Sequence, residues 1–215
     1  MLPIPFYPNT KDNSHCVQAC LKMALKYYFP ERNYGFAMLD KATNHKNNQW
    51  TWDTITMLFL ASLNFQVQYY ASFNNKKFAE QGKKYLKAIW SSEVFKEQKK
   101  HSNFKQEQNL IKKELKNSKI TSYDRPATMT DVKRLFTKHY TIFAVINPYI
   151  LDREKGYSSH LVVITAINSK TITFHDPGIP PIKNRIATLT AFKKGLCYPD
   201  KESATIIAFK PIAND

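Results

Sequence analysis

The spacing of apolar residues in the first third of the chain predicts three helices. In the first, apolar side chains recur at helical intervals between a polar stretch at residues 12–14 and Pro30, so this helix begins between Ser14 and Cys16. The other predicted elements are helices over residues 34–43 and 54–63 and a strand over residues 65–69, where polar and apolar side chains alternate.

The composition changes over residues 74–118, where Lys and Glu dominate and apolar side chains come at helical intervals. Residues 76–119 contain 13 Lys and 5 Glu, a net +8 out of the +15 of the whole chain. We predict that this lysine-rich segment, residues 74–118, is a helical insertion within a single domain that spans residues 1–215.

The second half of the chain is predicted to consist mainly of strands. A capping pattern from Thr128 to Asp131 begins one more helix. The β-branched and aromatic segments after it cover residues 141–147, 161–167, 171–175 and 204–209. A tight turn at Asn168-Ser169 joins two of these strands into a hairpin. Helices followed by neighbouring antiparallel strands indicate an α+β fold and not repeated βαβ units.

The residue composition excludes several classes of protein. A chain of 215 residues with 43% hydrophobic residues is sufficient for one globular core. Its apolar stretches are far shorter than the roughly 20 residues of a membrane-spanning helix, and the N-terminus lacks the pattern of a signal peptide. Three cysteines do not make a disulfide framework. We therefore expect a cytoplasmic protein without a membrane span and with at least one free thiol.

The net positive charge comes mostly from lysine. Lys and Arg total 32 against 17 Asp and Glu, and only five of the 32 are Arg. Sequence-specific nucleic-acid recognition relies heavily on the bidentate guanidinium group, so a solvated lysine surface is favoured over a nucleic-acid site.

Cys16 is the cysteine whose position indicates chemistry, because free N–H groups and the helix dipole at a helix start favour a thiolate. A cysteine nucleophile also needs a base and a group that orients the base. His160 begins one strand of the predicted hairpin and Asp176 ends the other. A register in which paired residue numbers sum to about 337 makes them cross-strand neighbours with Cβ atoms roughly 5 Å apart.

Three motifs then stand in a familiar order: His-Cys-Val-Gln-Ala-Cys at 15–20, Ser-His-Leu-Val-Val at 159–163 and His-Asp-Pro-Gly at 175–178, after Ile-Pro-Phe-Tyr at 4–7. Together they resemble the C39-like branch of the papain-like cysteine peptidases, typified by the leader-cutting domains of bacteriocin exporters. The resemblance covers about residues 4–30 and 127–210. It implies a papain-like fold in which the N-terminal helix carries the nucleophile and packs on a C-terminal antiparallel sheet.

Two positions depart from the family pattern. The glycine that usually follows the nucleophile is Val17. The oxyanion-hole Gln, typically six residues before the nucleophile, falls on Thr10, which is not an amide. Asn9, which we favour, or Asn13 would then supply the oxyanion donor.

The resemblance implies a cysteine peptidase or related thiol acyl-transfer hydrolase with a Cys16–His160–Asp176 triad. It implies no cofactor. The expected substrate is a peptide or protein, and acidic peptides and proteins are among the candidates. Hydrolysis, isopeptide cleavage, deamidation and transfer to an amine share one acyl-enzyme and stay open. The alternative is a papain-like binding module without catalysis that presents the lysine-rich segment to an anionic partner, either an acidic protein or a nucleic acid.

Cys20 and Cys197 are assigned to the core. Cys20 lies one helical turn after Cys16, on the apolar face of the helix. A metal site that combines Cys16 and Cys20 with His15 or His175 lacks the paired spacing of zinc sites. No metal site is predicted.

Overall fold

The computed structural model describes residues 1–46 and 48–213. Its α-helices are α1 (Cys16–Tyr28), α2 (Phe36–Thr43), α3 (Asp53–Ser62), α4 (Asn75–Gln81), α5 (Lys83–Ile89), α6 (Ser92–His101), α7 (Phe104–Glu114), α8 (Met129–Thr137), α9 (Pro148–Asp152) and α10 (Leu189–Leu196). Its strands are β1 (Phe65–Ala71), β2 (Ile120–Asp124), β3 (Thr141–Ile146), β4 (His160–Ile167), β5 (Thr171–Asp176), β6 (Ile182–Thr188) and β7 (Thr205–Pro211). None of the helices within the described ranges is long and apolar enough to cross a membrane.

The seven strands form one sheet in the order β2-β1-β7-β3-β4-β5-β6. β1 and β2 are parallel, and the other neighbouring strands are antiparallel. The predicted α+β fold is confirmed. The prediction of a purely C-terminal, antiparallel sheet is wrong in one respect. β1 and β2, from the first part of the chain, extend the sheet beyond β7 and are parallel to each other.

Alternate residues of the central strands bury the two faces of the sheet. On one face Phe143 and Val163 pack in the core that contains the buried side of α1, together with residues of α2 and α3. On the other face Ile142 and Val162 pack against α8 and α10. The side chain of Cys20 is fully buried in the first core, and its Sγ donates to the carbonyl oxygen of Leu161, 3.3 Å away. This packing places the start of α1 beside the start of β4.

Four helices, α4 to α7, lie between β1 and β2 and occupy most of the lysine-rich segment. They share a small apolar cluster formed by Phe78, Ala79, Tyr85, Leu86, Phe104 and Ile111. Trp52, just before α3, packs against this cluster and stacks on Phe78 with ring centroids 5.8 Å apart. The segment is therefore attached to the rest of the structure by aromatic packing as well as by the chain itself.

Candidate active site

Cys16 is the first residue of α1, within the predicted range for the start of that helix. The preceding residue, His15, makes no side-chain cap to the helix. The N–H groups of Val17 and Leu161 both act on the Cys16 thiol and favour its ionised form. Because the helix start also favours negative charge, the backbone at this point is suited to a thiolate.

His160 and Asp176 are brought together at one end of the sheet. Their side chains are buried, and Nε2 of His160 lies 2.7 Å from Oδ1 of Asp176. The imidazole also lies close enough to the thiol of Cys16 that each group shifts the pKa of the other, down for the thiol and up for the imidazole. Since Nε2 is engaged by the carboxylate, Nδ1 is the ring nitrogen left for the sulfur. The structure thus places the three side chains in the sequence thiol, imidazole, carboxylate.

The predicted hairpin register is wrong by one residue. Val163 pairs with His175 and not with residue 174, and a β-bulge between Ile164 and Ala166 shifts the pairing further toward the turn. The bulge inserts an extra residue, which periodicity in the sequence does not reveal. Continued to the end of the hairpin, the observed register makes Asp176 a diagonal neighbour of His160, a separation that side chains of this length still bridge.

Gly178 lies where the chain passes closest to this pair. Its N–H donates to Oδ1 of Asp176 over 3.0 Å. A Cβ at this position would lie 3.0 Å from that carboxylate oxygen and 3.2 Å from Nε2 of His160. The absence of a side chain therefore allows the hydrogen bond between the imidazole and the carboxylate to form.

Gly178→Ala is expected to keep the fold but displace His160 or Asp176, because the new methyl group meets both. A misplacement of this size costs up to about 100-fold in rate, and the alkylation rate of Cys16 by iodoacetamide at pH 6 reports it without a known substrate. Gly35→Ala is the matched control, since a Cβ there meets nothing within 4 Å. Equal rates in the two variants would show that the space at residue 178 is not needed.

Arg185 on β6 is a further residue at the site, and the sequence motifs did not indicate it. Its Nη1 donates to Oδ2 of Asp176 over 2.9 Å, and its Nη2 bonds to Asp152. Both oxygens of Asp176 are therefore engaged, one by the imidazole and one by the guanidinium. Arg185 is a positioning residue, because it holds the carboxylate that in turn holds His160.

The charges of the three groups follow from these contacts. Burial opposes ionisation of the Cys16 thiol, but the hydrogen bond and charge of His160 outweigh it and lower the thiol pKa. Burial likewise disfavours the charged imidazole, yet Asp176 and Cys16 raise the pKa of His160 to about 9. The pKa of Asp176 is lowered despite burial, by His160, the N–H of Gly178 and Arg185. At neutral pH these directions favour a thiolate beside an imidazolium, with a carboxylate behind it.

The two amides considered as oxyanion donors have different surroundings. Asn9 is engaged at both ends, since its Oδ1 accepts from the N–H groups of Thr10 and His15 and its Nδ2 donates to Oδ1 of Asn13. Asn13 lines the cleft that contains Cys16. Asn9 is thus hydrogen-bonded within the loop before α1, and Asn13 lies at the wall of the cleft.

A cleft of about 960 Å³ extends from Cys16 to the lysine-rich segment. Its size is at the upper end of the range typical of ligand sites. The lining residues include Cys16, Val17, Trp50, Trp52, Trp90 and Leu161. His160 and Asp176 are buried, so the thiol of Cys16 is the member of the group that faces the cleft.

Three other residues that the sequence analysis considered, Cys20, Cys197 and His175, take no part in the group of Cys16, His160 and Asp176. Cys20 is buried and its pKa is raised by that burial, as expected for a core cysteine. Cys197 is half-buried and packs against the core on the opposite face of the sheet. His175 bonds through Nε2 to the carbonyl oxygen of Ile4, 2.9 Å away, and takes no part in the group around Cys16.

Comparisons with known proteins agree with the predicted resemblance. Residues 86–191, which include His160 and Asp176, match a family described as "Peptidase_C39 like family". The structure is similar to the crystal structure of the peptidase domain of Streptococcus ComA, a bi-functional ABC transporter involved in a quorum sensing pathway. That similarity has a TM-score of 0.52 at 13% sequence identity and covers 95% of this chain and 96% of the other. No curated protein matches the chain. The resemblance to C39-like peptidases and the papain-like fold are confirmed.

Proposed function

We propose that this C39-like chain is a cysteine peptidase, or a related thiol acyl-transfer hydrolase, whose catalytic residues are Cys16, His160 and Asp176. One observation carries the proposal. A thiol at a helix start, lining a large cleft, has its pKa lowered by a neighbouring imidazole whose Nε2 is 2.7 Å from a buried carboxylate. Thiol, base and orienting group in this order are the requirements of nucleophilic catalysis by cysteine.

The reaction proceeds through an acyl-enzyme. The thiolate of Cys16 attacks the carbonyl carbon of a peptide or amide, and the imidazolium of His160 gives its proton to the departing amine nitrogen. The carbon–nitrogen bond breaks and a thioester remains on Cys16. An acceptor, water or another amine, then attacks the thioester carbon while His160 takes the acceptor's proton. The carbon–sulfur bond breaks, the acyl group leaves on the acceptor and the Cys16 thiolate is restored. Asp176 stabilises the charged ring in both steps.

Asn13 is our candidate for the side-chain donor to the oxyanion, together with the backbone N–H of Cys16. Asn13 lines the cleft beside the nucleophile, whereas Asn9, which the sequence favoured, is bonded within its loop at both ends of its amide. Because Asn9 occupies Oδ1 of Asn13, Nδ2 is the end of Asn13 that can donate to a substrate oxygen. Asn9 is then a positioning residue for Asn13.

Product analysis tests this function and separates the reactions that share the acyl-enzyme. The protein is incubated with a peptide library and with casein, with and without hydroxylamine, and the products are identified by mass spectrometry. Cleavage adds one water across a peptide bond, deamidation converts a Gln or Asn side chain to an acid, and hydroxylamine captures either thioester as a hydroxamate. Turnover that requires the Cys16 thiol supports the proposal, and a protein with neither turnover nor a reactive Cys16 contradicts it.

The lysine-rich segment is proposed to attract acidic substrates. Four of its lysines are exposed: Lys83, Lys84, Lys99 and Lys100. Lys99 and Lys100 lie on α6, and Gln98 and His101 of that helix line the cleft. Replacing the four lysines by Gln is expected to raise KM for an acidic peptide by about threefold or more, flatten its salt dependence and leave kcat unchanged. Initial rates at several salt concentrations measure this.

The matched control removes the same charge from α8 and α10, on the other face of the sheet, at Lys133, Lys138, Lys193 and Lys194. If both quadruple variants behave alike, only net charge matters. A loss confined to kcat in the first variant would mean that the segment helps to build the active site. Salt-sensitive binding of nucleic acid or acidic protein that the first variant abolishes, with an unreactive Cys16, would favour the binding module.

A further inference from the structure

A second group of chemically capable side chains lies next to the start of α1. His15 directly precedes Cys16, Asp40 is on α2, and His45 follows the end of α2. One ligand atom from each, a nitrogen from each imidazole and a carboxylate oxygen, lie within 4.8 Å of one another. The two imidazole ring centroids are 4.3 Å apart. The mechanism proposed above uses none of the three.

The hydrogen bonds around His15 determine which of its nitrogens faces the group. Asp12 accepts from the hydroxyl groups of Thr10 and Ser14. The oxygens of the same hydroxyls lie 2.8 and 2.7 Å from Nδ1 of His15. With their protons given to Asp12, the hydroxyls accept from Nδ1–H of His15. In the neutral ring this arrangement leaves the lone pair on Nε2 of His15.

Asp40 and His45 each contribute a buried polar atom that lacks a hydrogen-bond partner among the described residues. Oδ1 of Asp40 and Nε2 of His45 are buried and have no hydrogen-bond partner in residues 1–46 and 48–213. Nε2 of His15 is 3.3 Å from Oδ1 of Asp40, close enough for an ion pair but without hydrogen-bond geometry. Converging buried acceptors are unfavourable unless a cation lies between them.

We propose that His15, Asp40 and His45 bind a divalent transition-metal ion of the zinc type. Two imidazole nitrogens and one carboxylate oxygen are a donor set that zinc accepts, with water as the fourth ligand. Zinc at about 2.0–2.1 Å from each donor spaces tetrahedral donors roughly 3.4 Å apart. Nε2 of His15 and Oδ1 of Asp40 already have this spacing at 3.3 Å, and separations that approach the 4.8 Å limit must shorten when the ion binds. The hydroxyls and carboxylate behind Nδ1 of His15 provide the outer hydrogen bonds that orient a ligating imidazole.

The bound ion would connect the loop before the nucleophile to α2. Residues 9–15 form a hydrogen-bonded loop through Asn9, and His15 is its last residue. A metal at Nε2 of His15 fixes this loop to Asp40 and His45 and thereby the start of α1. The site is separate from the thiol chemistry, but a cysteine thiolate also binds zinc, so the test must remove Cys16 from consideration.

Calorimetric titration with ZnCl₂ of the full chain carrying Cys16→Ala tests the proposal. One ion per chain is expected, with a rise in Tm because the metal binds the folded state. Asp40→Asn and His45→Gln, each added to the same background, are expected to weaken binding at least about 100-fold, since each removes a ligand. His139→Gln, at an exposed histidine after α8, is the control and should leave the affinity unchanged.

Two results would overturn the proposal. Stoichiometric binding to the unchanged chain that is lost in Cys16→Ala, but retained when His45→Gln is made alone with Cys16 present, would place the ion at the catalytic thiol. Binding weaker than millimolar in a folded Cys16→Ala protein would mean that the group shares a proton and no metal. Because Asp40→Asn and His45→Gln alter different elements, a folding defect in one leaves the other as the test.

Discussion

Replacing Cys16 by Ala or Ser is expected to lower peptidase or transfer activity by at least about 1,000-fold, because no other group at the cleft can form the thioester. The free energy of unfolding should change by less than about 1 kcal/mol, since the side chain is only half-buried and faces the cleft. Product formation and chemical denaturation of the same preparations measure the two effects.

Cys20→Ala is the matched control for this experiment. Cys20 is fully buried and donates to the carbonyl oxygen of Leu161, so its removal should destabilise the protein by ~1 kcal/mol and leave the activity nearly intact. Activity that survives Cys16→Ala would show that the proposed nucleophile is wrong.

Asp176→Asn is expected to lower kcat by roughly 1,000-fold while the fold is retained. An amide cannot stabilise the imidazolium, and it can select the wrong tautomer of His160. The loss of the carboxylate also lowers the pKa of His160 from about 9. The proposed mechanism requires the thiolate and the protonated imidazole, so activity should be lost as pH rises through the His160 pKa. The alkaline limb of the kcat/KM profile should therefore move to lower pH in this variant.

Asp152→Asn provides the comparison for Asp176→Asn. Asp152 bonds to the opposite side of Arg185 and is largely exposed, so its replacement removes a charge near the site without touching His160. We expect a small change in kcat and no shift of the alkaline limb. Wild-type turnover in Asp176→Asn, with its alkaline limb unmoved, would mean that Asp176 does not hold a charged imidazole.

Local patterns predicted several elements of the fold correctly. The start of α1 follows from polar residues before an apolar periodicity, and the capping pattern from Thr128 to Asp131 forms the capping box of α8. The strands β2 and β6 were not predicted. Both lie at the edges of the sheet and have few buried side chains, so the alternation that identifies a half-buried strand is absent from their sequences.

Only the candidate-site residues that belong to sequence motifs could be predicted. Cys16, His160 and Asp176 are identified by their motifs, but Gly178 and Arg185 act through contacts that depend on the hairpin register and on β6. A bulge changes that register without a sequence signal. The group of His15, Asp40 and His45 was not predicted either, because the packing of α2 beside the start of α1 brings distant residues together.

The pH dependence of Cys16 alkylation by iodoacetamide tests whether Cys16 is a thiolate paired with His160. Mass spectrometry follows the alkylation of each cysteine separately. A thiolate paired with His160 should lose much less of its reactivity between pH 9 and pH 6 than an ordinary thiol, since the pKa of Cys16 is lowered. An ordinary thiol with a pKa of roughly 8.5 slows by more than about 100-fold between the same two values. Cys197, whose pKa is raised by burial, is the internal reference.

His160→Gln should remove the reactivity of Cys16 at pH 6, and His139→Gln, at an exposed position, should not. We expect the Cys16 rate to fall much less steeply toward pH 6 than the Cys197 rate, and this difference to depend on His160. A Cys16 rate that rises with pH in parallel with that of Cys197, and that is the same in the His160→Gln protein, would contradict it.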